Sequence, residues 1–470
     1  MQEDLLNFTI NYIRKKGTSY TECRLQENQS NSFIVKNETL QISAFNNEAG
    51  LGIRYLLKNT PGFISTNSLS KANIKKQIDN SLKLTKASVK LSENITFTNE
   101  QSYIKSYRVN QKIKFSNVSP EEKIKLLLDI HKAIKKTKVN IRASYLSYTD
   151  TVTKQMYINS EGTKIKSEIP RAELFHVLTI AHKNKSSQRI WESGASGGFE
   201  LVKSWGLLKK LPQEAKNLSD VLKKGSKPKK QIQDLVVSPE ITGIMVHESA
   251  GHPTEADRIF GREAAQAGES FIEKNSIGNR IGSDQVTIVD DPTIKNSFGF
   301  YLYDDEGVKA RRKYLYKNGL ITEFLHNRET AYHMNLKSNG SSRASSYDRE
   351  PIVRMSNTFV LPSKTSEQHL IEEVKRGIYL KSYTEWNIDD KRMNQRYVGA
   401  EAYEIKNGKI TNPVIHPVIE ITTPKLWSSV SLVANNLQYH PGSCGKGQPM
   451  DALPVWFGGP SMLIKGVNIY

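Results

Sequence analysis

Cysteine is almost missing from this chain. Cys23 and Cys444 are the only two among 470 residues. A disulfide framework is therefore excluded as the organising device, and each thiol has to be read alone. Long apolar runs are missing too. No stretch reaches the roughly 18 residues that a membrane-spanning helix needs. The opening Met1-Gln2-Glu3-Asp4-Leu5-Leu6 has neither the basic start nor the apolar run of a secretory signal. The expectation is a cytoplasmic protein with no membrane partner. No internal repeat is visible, which excludes solenoids and arrays.

Acidic charge is in deficit. Lys and Arg number 67 against 48 Asp and Glu, a net charge of +19. A basic balance favours contact with nucleic acid or acidic substrates. The lysines are scattered, however, and no long basic-aromatic array occurs. The densest run, Lys223 to Lys230, carries a glycine and a proline and reads as a solvated linker. Nucleic acid is not expected as the main partner.

What is present suggests an α+β chain with a boundary at that linker: a mixed α/β portion over 1–225 and a β-rich, antiparallel barrel-like portion over 232–470. In the first, Cys23 sits in the strand-like run T-E-C-R-L-Q as a half-buried side chain. A helix is expected over 67–87, with Ile74, Ile78, Leu82 and Leu84 near a 3.6 period. A second opens at Ser119, with Pro120 in its first turn and Glu122 completing a capping box. Asn159-Ser160-Glu161-Gly162 marks a hairpin between two strand-like runs. His131 reads as a helix-surface or half-buried residue, and His176 and His182 as structural. In the second portion, Asn318-Gly319 and Asn407-Gly408 predict type I′ hairpins, whose two central residues need positive φ. The stretch 366–376, with His369 at its surface, is the isolated helix.

Ser238-Pro239-Glu240 opens a helix that carries Ile241, Ile244 and Met245 and runs into V-H-E-S-A-G-H-P-T-E-A-D. His247 and His252 stand five residues apart. The familiar helical zinc motif spaces its histidines by four, which brings both onto one face. Five residues advance about 500°, so on a regular α-helix the rings would diverge by about 140°. Such a pair cannot chelate one ion. A π-bulge repairs the geometry by bringing residues five apart into line. Gly251 would supply backbone freedom, and Pro253 would push His252 away from helical angles. The helix should therefore widen or end between 248 and 252.

Zinc needs nitrogen or sulfur ligands, usually three from the protein at a catalytic site, and a neighbouring carboxylate such as Glu248 can take the proton of a water. Candidates for a third ligand are Cys444, His440, His416, Glu255 and Asp257. Cys444 lies among glycines in P-G-S-C-G-K-G, where the backbone can turn sharply.

At this point the chain resembles the TldD/PmbA (TldD/TldE) family. The marks are His247-Glu248-Ser249-Ala250-Gly251-His252 with Glu255 and Asp257, then Asp304-Asp305-Glu306-Gly307-Val308, Asn318-Gly319 and Arg328-Glu329-Thr330-Ala331. Pro351 to Asn357 and Cys444-Gly445-Lys446-Gly447-Gln448 follow, with Leu51-Gly52-Ile53-Arg54 near the start. The resemblance covers essentially the whole chain. It implies the active, TldD-like branch: zinc held by His247, His252 and Cys444, with Glu248 as general base. It also implies cleavage of short or unfolded peptides inside a dimer cavity, the substrate lying as an added strand. The partner would be a second copy or a TldE/PmbA-like subunit. Tyr439, His440 and Arg354 are candidate oxyanion stabilisers. Asp304, Asp305 and Glu306 either orient a ligand or a strand end, or form a solvated acidic turn. The run Trp386 to Val398 is more charged than the family pattern. The competing reading is a non-catalytic regulatory or scaffold subunit whose basic surface contacts nucleic acid.

Overall fold

The computed structural model describes residues 2–262, 269–447 and 449–470. Gln448 of the Cys444 motif lies outside them. The first part is built on a seven-stranded sheet ordered Thr60–Thr66, Thr39–Leu57, Tyr20–Lys36, Ile141–Asn159, Lys164–His182, with Ile104–Arg108 and Lys185–Ser196 both paired to the last of these. All neighbours are antiparallel except Ile104–Arg108. Two helix pairs cover the sheet's apolar positions. Gln2–Arg14 and Lys71–Ser88 bury Leu6, Ile10, Ile74, Ile78 and Leu82 against Leu51 and Ile53. Pro120–Lys135 and Leu207–Lys224 bury Leu127, Ile130, Leu211 and Leu218 against Phe33, Leu146 and Leu174.

Local signals behave as their chemistry requires. Ser119 and Glu122 close a reciprocal capping box ahead of Pro120. Asn318 and Gly319, like Asn407 and Gly408, have φ of 50° and 75°, as type I′ turns demand. Some expectations are corrected. The 67–87 helix starts later, at Lys71, because Ser70 accepts from the Asn73 N–H. Leu84 is 71% exposed; Thr85 faces the core instead, where its hydroxyl bonds that of Tyr55. Cys23 is fully buried rather than half-buried, inside the core under Leu25 and Ile53. His131 is buried, beside Glu38. The stretch 366–376 is helical only over Glu367–Glu372, and Arg376 opens a strand. It is not isolated either, since Arg328–His333 and Thr423–Ser428 are also helices.

In the second part, Gln231–Val237, Arg376–Ile388, Asn394–Lys406, Val418–Thr422 and Met462–Ile469 form a closed barrel, shut by the pairing of Arg376–Ile388 with Asn394–Lys406. It is not wholly antiparallel: Gln231–Val237 runs parallel to Arg376–Ile388. A second sheet, ordered Leu320–Ile321, Lys313–Lys317, Ile288–Asp290, Asn357–Val360, Asp451–Gly459, Gln438–Lys446, ends on the strand that carries Cys444. The helix Pro239–Val246 lies between barrel and sheet. It is buried from Ile241 to Val246 and mostly apolar, as a helix at the centre of a core must be; half-buried Glu240 in its first turn pairs with Arg189.

A candidate metal centre at a widened helical turn

Ser238 caps that helix by accepting from the Ile241 N–H, and Pro239 takes the first turn, a cap worth about 1 kcal/mol. At His247 the winding changes. Residues His247–Gly251 form a π-helical turn, closed by the His252 N–H donating to the His247 carbonyl. His252–Thr254 then tighten to a 3₁₀ turn. The irregular backbone is satisfied from outside. Tyr316 Oη and Trp427 Nε1 each donate to the Ser249 carbonyl at 3.4 Å, and Thr254 Oγ1 donates to Ala250 and Gly251.

Two of the reasons expected for this turn are corrected. Gly251 has ordinary helical angles, φ −64° and ψ −65°. Its missing Cβ matters for space, because a Cβ there would stand 1.9 Å from Met355 Sδ. His252 also stays helical, at φ −57° and ψ −43°. The bias imposed by Pro253 is overridden by the packing around the turn.

The wide turn places the two imidazole rings 4.9 Å apart. Cys444 joins them from the edge strand Gln438–Lys446. One ligand atom from each of His247, His252 and Cys444 lies within 4.8 Å of the other two, and all three residues are buried. Cys444 Sγ is 3.6 Å from His252 Nε2. Cys444 is not on a sharp loop, as its glycine neighbours suggested. It is in an extended strand in register with Leu453.

The surroundings set the charge and orientation of these groups. His252 Nδ1 faces Glu255 Oε2 at 2.9 Å, which turns Nε2 toward Cys444. Burial pushes the Glu255 carboxyl up, but the charges of Lys446 and His252 hold it well below the usual range. Burial lowers His247 and favours its neutral form, and among the described residues its buried Nδ1 has no hydrogen-bond partner. Burial raises the Cys444 thiol, but the charges of His252 and Arg354 overcome it and bring it to about 7. Two imidazole nitrogens and a thiol lowered toward ionisation make a donor set that fits zinc.

Glu248 stands beside this group with a different partner. Arg392 Nη1 donates to Glu248 Oε2 at 2.7 Å. Burial raises the Glu248 carboxyl, and the charges of His252, His247 and Arg392 bring it below its ordinary value. Arg392 sits in the connection between Arg376–Ile388 and Asn394–Lys406 with φ 64°, a conformation that side chains other than glycine adopt rarely. The charged run 386–398 was visible in the sequence, but nothing in it pointed to Glu248. Lys446 and Arg258, the cations on Glu255, were missed as well; proximity of Lys446 to Cys444 was the only available signal.

The remaining candidates fall elsewhere. Asp257 accepts from Lys446 at 2.7 Å. Arg354 donates to the carbonyls of Cys444 and Asp451 and so braces the strand. Tyr439 stacks on Trp456. His440 shares the cavity with the histidines, but burial pushes it down to about 3 and it packs on Phe457. His416 is not in the cluster. Asp304 and Glu306 are buried, so the solvated acidic turn is overturned. Asp304 accepts the N–H groups of Glu306, Val308 and Ser342, and Glu306 pairs with Arg54 at 2.6 Å.

A cavity of about 430 Å³ opens over the cluster, between Arg189–Glu192, Trp386–Ile388 and His440–Gly445. Comparison with known proteins assigns the class: curated relatives of similar length are metalloproteases, and this chain is a metallopeptidase. A metalloprotease of Methanocaldococcus jannaschii is 33% identical, with 94% of each chain covered. A zinc metalloprotease TldD homolog of Saccharolobus solfataricus is 24% identical, over 97% of this chain and 98% of its own.

The chain belongs to the PmbA/TldD family. The PmbA/TldA metallopeptidase C-terminal domain matches 230–470, the central domain 113–221 and domain 1 residues 21–85. Solved structures share the fold. A Thermotoga maritima protein described as a candidate modulator of DNA gyrase has a TM-score of 0.81 at 18% identity, covering 100% of both chains. TldE of Thermococcus kodakarensis has 0.76 at 16%, covering 100% of this chain and 99% of its own.

Proposed function

We propose that this chain is a zinc-dependent peptidase of the TldD-like active branch, with the ion held by His247, His252 and Cys444 and Glu248 as general base. The observation that carries the reading is the meeting of a π-turn histidine pair with a thiol from a distant strand, their ligand atoms within 4.8 Å. Zinc, when bound, supplies Lewis-acid polarisation of the scissile carbonyl and of water.

The chain's own residues do the rest. Glu255 accepts the His252 Nδ1–H and fixes the tautomer that leaves Nε2 free as a ligand. Glu248 takes a proton from the attacking water and returns it to the leaving amine. Arg392 keeps that carboxylate ionised and aimed into the cavity. The substrate is a short or unfolded peptide. Strand Gln438–Lys446 is the last in its sheet and lines the cavity, so a peptide can add to its open edge as a further strand. The enzyme acts in the cytoplasm, as a homodimer or with a TldE/PmbA-like subunit; among the described residues no helix is long and apolar enough to cross a membrane.

Metal content and peptide cleavage, measured on the same purified samples, test the reading. Wild type should carry zinc near one per chain and cleave; His252→Ala should lose both. A metal-free wild type that cleaves unfolded peptide at full rate would return the chain to a different chemistry. A wild type with neither metal nor cleavage would favour the scaffold reading.

A further inference from the structure

A second cavity, of about 310 Å³, lies between the N-terminal sheet and the strand pair Gln438–Lys446 and Asp451–Gly459. It meets the metal-side cavity at Ser443, which lines both. The face of the sheet between them is continuous. Arg171, Glu173 and Phe175 stand opposite Ser196, Gly194 and Glu192 across adjacent strands, and Glu173 lines one cavity while Glu192 lines the other.

Two arginines set the character of this second cavity. Arg171 donates from Nε to the Phe298 carbonyl and from Nη2 to the Phe300 carbonyl, both at 2.9 Å. Arg343 donates from Nη1 to the Met355 carbonyl at 2.7 Å and from Nη2 to the Pro454 carbonyl at 3.0 Å. Among the described residues neither guanidinium has a carboxylate within ion-pair distance. Three acids line the cavity: burial raises the Glu173 carboxyl toward its neutral form, and the other two are committed. Asp305 accepts from Gln155 and the Ala344 N–H and pairs with Arg24, and Asp304 is used by backbone N–H groups. Burial and the charge of Arg343 drive Arg171 down to about 10. Buried arginine is normally paired, and its planar fork matches a carboxylate with two parallel hydrogen bonds. Carbonyl bonds hold these two forks in place, and Arg343 also lies over the Tyr301 ring, 5.4 Å from its centroid; among the described residues neither fork is closed by a carboxylate. Tyr107, Tyr301 and Gln155 add polar groups around them.

We propose that this cavity is a carboxylate-binding subsite in which Arg171 and Arg343 hold an anionic group of a bound peptide, either its terminal carboxylate or an Asp or Glu side chain. The subsite makes the enzyme selective for peptides carrying a carboxylate a few residues from the metal-side cavity. This rests on the peptidase reading, but the subsite needs no metal and no chemistry.

Calorimetric binding of short acetylated peptides to the metal-stripped protein tests it. Three peptides of one neutral sequence are compared: a free acid, its C-terminal amide, and the amide with one Asp introduced near its C-terminus. The free acid, the Asp amide or both should bind at least about tenfold more tightly than the plain amide. Arg171→Gln should abolish that preference, and Arg343→Gln should do the same. The free acid against the Asp amide tells which carboxylate is read. Equal binding of all three to wild type overturns the subsite, and this arm needs no variant to fold. A preference that survives in both folded variants overturns it too, since the carboxylate is then read elsewhere. Cleavage of a long unfolded peptide is followed in parallel with metal-loaded wild type. Normal cleavage without carboxylate selectivity sinks the subsite alone, whereas loss of all cleavage sinks the peptidase reading.

Discussion

The long N-terminal hairpin and the wide turn at His247 are opposite ways to use a chain. Tyr20–Lys36 and Thr39–Leu57 pair residue against residue across a tight turn at Asn37 and Glu38. The second strand is exposed from Thr39 to Ala49, with Leu40, Ile42 and Phe45 at 41%, 44% and 64%. Every residue from Ile241 to Arg258 is buried. The turn within it depends on Met355, Trp427, Arg392 and Cys444, all at least about 100 positions away. Local pairing makes the hairpin tolerant. Distant pairing makes the wide turn at His247 only as good as the folding of the whole second part.

The largest blow to that contrast is chemical. Glu248→Gln keeps the shape of the turn and should lower kcat by about 10²- to 10⁴-fold with metal content unchanged; a milder loss would mean that Glu248 is not the base. Next comes Glu255→Gln, which unfixes the His252 tautomer. Metal affinity, read by chelator competition, should fall by about 10- to 100-fold, and an unchanged affinity would remove Glu255 from the account.

A smaller effect belongs to the N-terminal sheet. Burial depresses His176 to about 3, below its unfolded value of about 6.5. The unfolded chain therefore takes up the proton first, and stability is lost as pH falls below about 6.5. Relative to His176→Phe, wild type should lose about 2 kcal/mol between pH 7 and pH 5, measured by denaturant unfolding; parallel pH curves would contradict this. The smallest effect is Phe45→Ser on the exposed strand, which should move stability by no more than about 0.5 kcal/mol. A large drop there would show that the hairpin is covered in the native assembly.

The same contrast explains how much the sequence reveals. The Ser119–Pro120–Glu122 box and the two Asn-Gly turns are legible because their physics is complete within a few residues. The wide turn at His247 is legible too, because five-residue spacing has few solutions on a helix. Its cause is not: Gly251 is required by Met355, a contact between positions 104 residues apart. Arg392 illustrates the limit. Its charge is plain in the sequence, yet only the meeting of two barrel strands brings it to Glu248. The Asp304–Glu306 turn fails for the same reason, since its partners Ser342 and Arg54 come from other segments.

The most direct measurement of the central claim is anomalous scattering at the zinc edge from crystals of the metal-loaded protein. The account predicts one strong peak per chain, about 2.0–2.1 Å from a nitrogen of each of His247 and His252 and about 2.3 Å from Cys444 Sγ. No peak, or a peak bound by other residues with Cys444 turned away, would contradict it.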